Sequence, residues 1–502
     1  MTSYLTINNN ASVPVSSIPV CSYDDFSSSV LSLLRHSYNH CVLYYGVPMS
    51  DKLKCICAIA DDSGEGNIYV LSHELNHSVK TLPSLSKEHF ALHIYEREMA
   101  ENFGIHFEGH PWLKPVRYAF DRADTSSTLR NYPFFSVTGE EIHEVPVGPI
   151  HAGVIEPGHF RFMCNGETVL HLEIQLGYQH RGIEHLFLAK KTLLQRTLLA
   201  ECIAGDTAIG HTLAFVHNYE ALACHEVSEN LHLLRALALE IERLAMHTWG
   251  LSNLGVGIAY QLGNAVIGAL RTPVINYMQL WCGNRFGKSL LRAGYNNYRY
   301  TETLRQDLSS LLDGYQTKYN EVAHEYFNLP SVQARLEKTG IVTRSQMELI
   351  GAVGMAARIT GIKRDVRKSH PIGYYKHLIP TVETEENGDV WARAMLRHKE
   401  IGKTIAFIRE LLNRWKSSED ETQRPSLNTT ANTFTLSLVE AWRGEICHAA
   451  ITGPTGDLLH YKVKDPSMHN WLALGLAVRD NEISDFPICN KTFDLSYCGN
   501  DL

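Results

Sequence analysis

The chain has 502 residues, 44% hydrophobic and 20% charged, with a formal net charge of -8. Such a length holds two or three domains, and the balance is that of an ordinary folded globular protein. An acidic chain with no basic stripe argues against a nucleic-acid partner, and the longest apolar runs, such as WLALGLAV (471–478), fall far short of the roughly 20 residues that cross a bilayer.

No charged segment followed by an apolar one opens the chain, so no secretory signal is expected. The first twenty or so residues, including NNNASVPVSS, are polar and turn-prone and read as a loose lead. From there to about residue 95, short apolar runs alternate with loops such as DDSGEGN, which predicts strands near 41–47, 54–60 and 67–72 in a small α/β domain. Cys55 and Cys57 lie in one of these runs. No C-x-x-C pair occurs among the 11 cysteines, so buried reduced thiols are expected. Residues 126–144 have turn residues and no clear period, and read as a linker between domains at 20–125 and 145–502.

Helical patterns dominate from about 185 to 415. The best spans 225–251, where Leu234, Leu237, Ile241 and Leu244 recur at helical spacing with Arg235 and Glu242 on another face. Glu240, Arg243 and His247 share a stripe that predicts an intrahelical ion pair. A polar stretch at 417–433 interrupts the helices. Runs at 434–441, 445–452 and 461–465, with the turn signal GPTGD between the last two, predict a hairpin-containing β unit. His180, His185, His211, His217 and His225 stand in no zincin order, so most are expected as surface or capping histidines.

Two sets of motifs carry a resemblance. YEREMAENFGIHFEGHPWLKPVRY (95–118) resembles the signature of a small peripheral-arm subunit of respiratory complex I, on Glu96, Arg97, Glu98, Phe103, Gly104, Gly109, His110, Pro111 and Leu113. From about 146 onward the chain resembles the large subunit of energy-converting nickel–iron hydrogenases and its complex I homologue. The matching runs are VPVGPIHAGVIEPGHFRF (145–162), GYQHRGIEHL (177–186), GAVGMAARITGIKRDVRKSHP (351–371), GDVWARAMLRHKEI (388–401), EAWRGEICH (440–448) and DPSMHNWLALGLAVRDNEISDFPICNKTFDLSY (465–497). The implied fold class is α+β: a small N-terminal α/β domain, then a mainly helical hydrogenase-large-subunit-like domain with small β elements at both of its ends.

The resemblance places four thiolate ligands of a nickel–iron centre at positions that here are Ala204, Thr207, Ser496 and Gly499. Soft thiolates are what such metals select, and these side chains offer none. No directly bound cofactor or metal is therefore expected. Quinone binding in a shifted pose stays open: His151 matches one quinone-contacting histidine, while Pro157 and Gly205 fall near the positions of the other contacts. Arg443 matches the arginine that overhangs the metal and Asp494 the aspartate beside the lost cysteine pair. With Asp206, Glu156 and His151 they are the candidate proton carriers or ligand contacts, and His159, Arg161, His180, Arg181 and Glu184 are expected to complete the lining. The implied role is a peripheral-arm core subunit on the cytoplasmic face of the inner membrane, beside an iron–sulfur subunit carrying 4Fe–4S clusters and antiporter-like integral membrane subunits. The alternatives are an active quinone or hydrogen oxidoreductase subunit and a non-catalytic scaffold.

Overall fold

The computed structural model describes residues 4–151, 155–418 and 420–502. The chain is a mixed α+β protein in which two largely antiparallel sheets face each other beside a body of long helices. The three strands expected near the N-terminus are present and longer, as Asn39–Pro48, Lys52–Asp61 and Asn67–Asn76. All but the end residues of the first two are buried, which requires cover on both faces of the sheet. Cys55, Cys57 and Ile59 point to the helices Tyr23–Leu34 and His93–Phe103, where they meet Phe26, Val30 and Tyr95. Ile56, Ala58 and Ala60 point the other way, to Phe434, Leu436 and Ile451 of the C-terminal sheet. This period of two is the strand pleat read out as two separate cores. All eleven cysteines are free, and Cys55 and Cys57 are buried.

The reading of the first twenty residues as a loose lead is corrected. Leu5–Asn8 pairs with Asn67–Val70 of the N-terminal sheet, and Ser12–Pro14 pairs with Thr433–Thr435 of the C-terminal sheet. Within ten residues the chain thus adds a strand to each of the two facing sheets. Its polar side chains hide this, because edge pairing is made by backbone groups.

The C-terminal sheet is a meander of Thr433–Glu440, Glu445–Thr452 and Leu458–Lys464, as the β runs predict. Every residue of its first two strands is buried, since its other face lies on the helix Ala208–Leu222. The predicted long helix spans Glu229–Gly257 and starts at Ser228, whose side chain accepts from the Leu231 N–H. It packs against Gln261–Cys282 and Val390–Arg414. Arg235 and Glu242, placed by periodicity on another face, are also buried: Arg235 is held by Glu220 through two bonds of 2.9 and 2.6 Å. Residues 109–141 contain no helix or strand, and Ile142–Val147, His159–Asn165 and Thr168–Gln175 form a three-stranded antiparallel sheet.

Candidate functional site

Three chain reversals converge on one cleft: the loop 201–207 that leads into Ala208–Leu222, the turn 441–444 between two C-terminal strands, and residues 494–496 after the helix Phe486–Phe493. The turn closes tightly, with Ala441 and Gly444 exchanging backbone hydrogen bonds. Gly444 has φ of 142° and lies so close to Gly354 that a Cβ would sit 2.6 Å from its Cα, so only glycine fits. The turn delivers Trp442 and Arg443. Arg443 donates through both terminal nitrogens to Asp206, at 2.7 and 2.6 Å, and through Nη1 to Thr207 Oγ1 at 3.1 Å. Its Nε donates to the Asp494 carbonyl, and its guanidinium lies 4.0 Å from the Trp442 ring centre. Trp442 Nε1 donates to Thr207 Oγ1 at 3.2 Å and to the Asp206 carbonyl at 3.0 Å.

Burial pulls the Asp206 carboxyl upward, but the Arg443 guanidinium overrides it and holds the pKa below the usual carboxylate range. Asp494 behaves oppositely. It ends its helix in the left-handed conformation, φ 54°, with its carbonyl on Arg443 and its carboxyl Oδ2 buried without a partner. Burial raises its pKa against the opposing pull of Arg443 and Arg397. The cleft therefore holds one ionised, paired carboxylate and one carboxyl with spare hydrogen-bonding capacity.

The four positions that the resemblance assigns to metal ligands are committed to other work. Ala204 is fully buried. Thr207 Oγ1 donates to Asp206 at 3.0 Å and accepts from Arg443 and Trp442. Ser496 caps the helix Tyr497–Asp501, its Oγ accepting from the Gly499 N–H at 2.8 Å. At Gly499 a Cβ would lie 2.5 Å from Asp465 Oδ2 and 2.8 Å from Ser496 Oγ. Of the nearby sulfurs, Cys202 is exposed, with Lys288 Nζ at 3.8 Å. Cys498 touches Ser496 Oγ at 3.5 Å, and burial together with Glu156 pushes its thiol up to about 12.

Asp465 opens a line of side chains that sequence reasoning missed. It meets His211 Nε2 at 3.1 Å, His211 Nδ1 meets His448 Nε2 at 3.1 Å, and His448 Nδ1 meets the Tyr461 hydroxyl at 2.9 Å. All four are buried. His211 is thus an exception among histidines expected mostly at the surface or as caps, and so is His217, whose two ring nitrogens are buried without partners. His185 is exposed, and His180 and His225 are half-buried. A second missed group is Glu242, which accepts from the Ile209 and Gly210 N–H groups at 2.8 and 3.2 Å. Burial and the nearby Asp206 raise it to about 8 despite those bonds. The Glu240–Arg243 pair forms at 3.1 Å as its spacing predicts, but His247 turns instead to Glu400, at 2.9 Å, on a neighbouring helix.

The other candidates fall around the rim or elsewhere. Glu156 acts electrostatically on Cys498 and Tyr497, which places it on the same rim. His151 Nε2 bonds to the Gly158 carbonyl at 3.0 Å rather than to the Arg443–Asp206 pair. Arg181 ties the loop 201–207 to the helix Tyr497–Asp501, donating to the carbonyls of Cys202, Ile203 and Cys498 at 2.7, 2.8 and 3.0 Å. His180 bonds to the Asp501 carbonyl, and Glu184 takes the Val463 N–H. Arg161 and His159 do not join the cleft. Arg161 pairs with Glu144 and lies over Phe134, and His159 bonds to the Gly148 carbonyl.

Residues 23–124 match the family profile of the respiratory-chain NADH dehydrogenase 30 Kd subunit, and residues 265–436 that of the 49 Kd subunit. The chain therefore joins complex I-type domains of the 30 Kd and 49 Kd kinds in one polypeptide. Its homologues include membrane-bound hydrogenase subunits. It is 26% identical over 486 residues to Hydrogenase-4 component G of Escherichia coli, covering 92% of this chain and 81% of the relative. It is 25% identical to Formate hydrogenlyase subunit 5 of the same organism, covering 93% and 83%. With an NADH-quinone oxidoreductase subunit of Clostridium beijerinckii it shares 25% identity over 63% of this chain and 82% of that one. Among the described residues no helix is long and apolar enough to cross a membrane.

Proposed function

We propose that this chain is a peripheral-arm core subunit of a membrane-bound complex of the complex I and energy-converting hydrogenase kind, that it holds no nickel–iron centre, and that its cleft moves protons in coupling to ion translocation by membrane partners. The chain divides at 20–125 and 145–502 across the linker 126–144. It sits on the cytoplasmic face of the inner membrane, on an iron–sulfur subunit carrying the 4Fe–4S clusters and above antiporter-like subunits. No cofactor is bound directly by this chain, and a quinone, where one binds, takes a shifted pose.

The observation that carries this reading is Gly499. Its missing Cβ leaves the space that Asp465 Oδ2 fills, and Asp465 heads the Asp465–His211–His448–Tyr461 line. A methyl, two committed hydroxyls and a hydrogen do not fit a group that needs four thiolates. Carboxyl and imidazole groups in hydrogen-bond sequence suit proton passage instead, because burial and neighbours move their pKa values across neutral pH. In this scheme Asp494 takes and gives the proton at Oδ2, Asp206 and Arg443 fix its field, and Glu156 and His151 serve the rim.

The test is the assembled complex. Elemental analysis of the purified complex should find no stoichiometric nickel in this subunit, and Arg443→Ala with Asp494→Ala should abolish ion transport while assembly persists. Stoichiometric nickel would refute the reading. Unchanged transport with intact assembly would favour a scaffold, the reading to which the closed Arg443–Asp206 pair would then belong.

A further inference from the structure

Between the helix His93–Phe103, the strand Thr168–Gln175 and the helix Ser467–Ala477 lies a cavity of about 60 Å³. A water needs about 10–15 Å³ of such volume, so the space takes roughly four waters or one small organic molecule. It is separate from the cleft: Arg443, Asp206 and Asp494 do not line it. Most of its wall is apolar, with Leu172, Ile174, Met468 and Trp471 among the contributors.

The polar wall comes from His93, Arg97, Trp112, Tyr132, Gln175 and Asn500. Tyr132 is engaged with Glu173, Gln175 with Leu129 and Tyr178, and Asn500 with Asp501, which leaves the first three as the groups with donors to spare. Trp112 Nε1 is buried without a partner. His93 is 3% exposed with no partner at Nδ1, and burial followed by the nearby Arg97 pushes its pKa far down, so it is neutral with one N–H. Arg97 is 6% exposed and lies 4.3 Å from the Trp112 ring centre. Its Nε and Nη2 donate to the carbonyls of Lys114 and Pro115, at 2.8 and 2.9 Å, and its Nη1 has no acceptor among the described residues.

Arg97 has no carboxylate within ion-pair distance among the described residues, and those nearby are committed. Glu98 pairs with Arg117 and Lys462. Glu101 takes the N–H groups of Val116, Arg117 and Tyr118, and Glu173 pairs with Lys114. Carbonyls satisfy a guanidinium's hydrogens but do not balance its charge. Burial lowers the Arg97 pKa, and Glu101 and Glu173 oppose this only from beyond ion-pair distance, so the charge is balanced in part. An oxyanion supplies both, and Arg is the side chain suited to bind a carboxylate through two donors.

We propose that this cavity binds a short-chain carboxylate, its oxygens on Arg97 and Trp112 Nε1 and its alkyl end against Leu172, Ile174 and Met468. The apolar wall selects against phosphate, whose second charge would find no second cation there.

Calorimetric titration of the purified full chain with sodium propionate, propionamide and sodium chloride at matched ionic strength tests this. Propionate should saturate one site, while the neutral amide and chloride give no saturable signal. Trp112→Phe keeps the ring under Arg97 and removes only the N–H, so it should bind propionate at least tenfold more weakly, and Arg97→Gln should not bind it. Where Arg97→Gln fails to fold, Trp112→Phe carries the test. Arg443→Ala should bind as the parent does. Absent saturation, equal binding of the amide, unchanged affinity in Trp112→Phe, or loss of the site in Arg443→Ala would each overturn the proposal.

Discussion

Two concentrations of charge meet the turn 441–444, and they are built differently. In the deep one, Arg358 donates to Glu400 at 2.6 Å and to Glu440 at 2.7 Å. Arg367 reaches Asp365 at 2.7 Å and Glu240 at 3.1 Å, while Arg243 bridges from Glu240 to the carbonyls of Glu440 and Ala441. No side chain among these is more than 6% exposed. In the cleft, Asp206 is 36% exposed and Asp494 keeps a carboxyl oxygen with no partner. In the deep cluster every carboxylate is paired, although Arg358 Nε is buried without a partner, and charges paired in this way specify packing. A charged group left partly unsaturated beside solvent is free to exchange protons or take a ligand.

The largest effect that tests this contrast is at Arg358. Arg358→Ala removes the cation shared by Glu400 and Glu440. Glu400 keeps Arg243 at 3.6 Å and His247 at 2.9 Å, but Glu440 is left with no cation within ion-pair distance among the described residues, which costs about 3–5 kcal/mol. Arg443→Ala costs less, because Asp206 already reaches water. Denaturant midpoints of the two variants measure the difference. A loss under about 1 kcal/mol for Arg358→Ala would break the comparison.

The next effect is a pH slope from Glu242, which sits between the two regions. Its folded pKa of about 8 lies above its ordinary value of 4.5, raised chiefly by burial. The folded state therefore holds the proton more tightly across that window. The stability this contributes is full below the ordinary value and is lost as pH rises through about 8. Between pH 5 and pH 8 the parent should lose about 2–4 kcal/mol more than Glu242→Gln, which has no proton to release. Equal slopes in urea melts at the two pH values would remove Glu242 from the titrating set.

A smaller effect is expected at Gly499. Gly499→Ala places a methyl 2.5 Å from Asp465 Oδ2, in a site whose other wall is the Ser496 cap. Overpacking of this kind costs about 1–3 kcal/mol. Calorimetric melting should show the loss. Full retention would mean that Asp465 gives way easily, which would loosen its tie to His211.

How much of this was legible in the chain follows from what periodicity can carry. The N-terminal strands announce themselves through β-branched and aromatic runs such as CVLYYGV, and the long helix through Leu234, Leu237, Ile241 and Leu244. The helix end is hidden: Gly250, Gly255 and Gly257 continue it to residue 257, where glycine ordinarily weakens a helix, because neighbours press close on them. Leu5–Asn8 and Ser12–Pro14 are hidden because edge pairing leaves no pattern in side chains. The cleft's Arg443, Asp206 and Asp494 were found through motif order, and the structure brings all three together. Asp465 and His211 each stand near a recognisable motif, yet their contact spans 254 positions, and spacing along a chain says nothing about such a distance. Arg161 and His159 failed for the converse reason. They belong to a matching motif, but they share the strand face opposite the buried Phe160 and Phe162.

Asp494→Asn should change stability least and function most. The left-handed φ of 54° is one that Asn adopts readily. The carbonyl that receives Arg443 Nε is backbone and survives the change. The side chain loses a carboxyl whose Oδ2 has no partner, so the melting free energy should move by no more than about 0.5 kcal/mol. The amide cannot titrate, so ion transport by the assembled complex should fall to the level of Asp494→Ala while the melting temperature stays with the parent. A destabilisation above about 1 kcal/mol would place Asp494 with Arg358 among groups that hold the fold, and the distinction between the two charged regions would then rest on exposure alone.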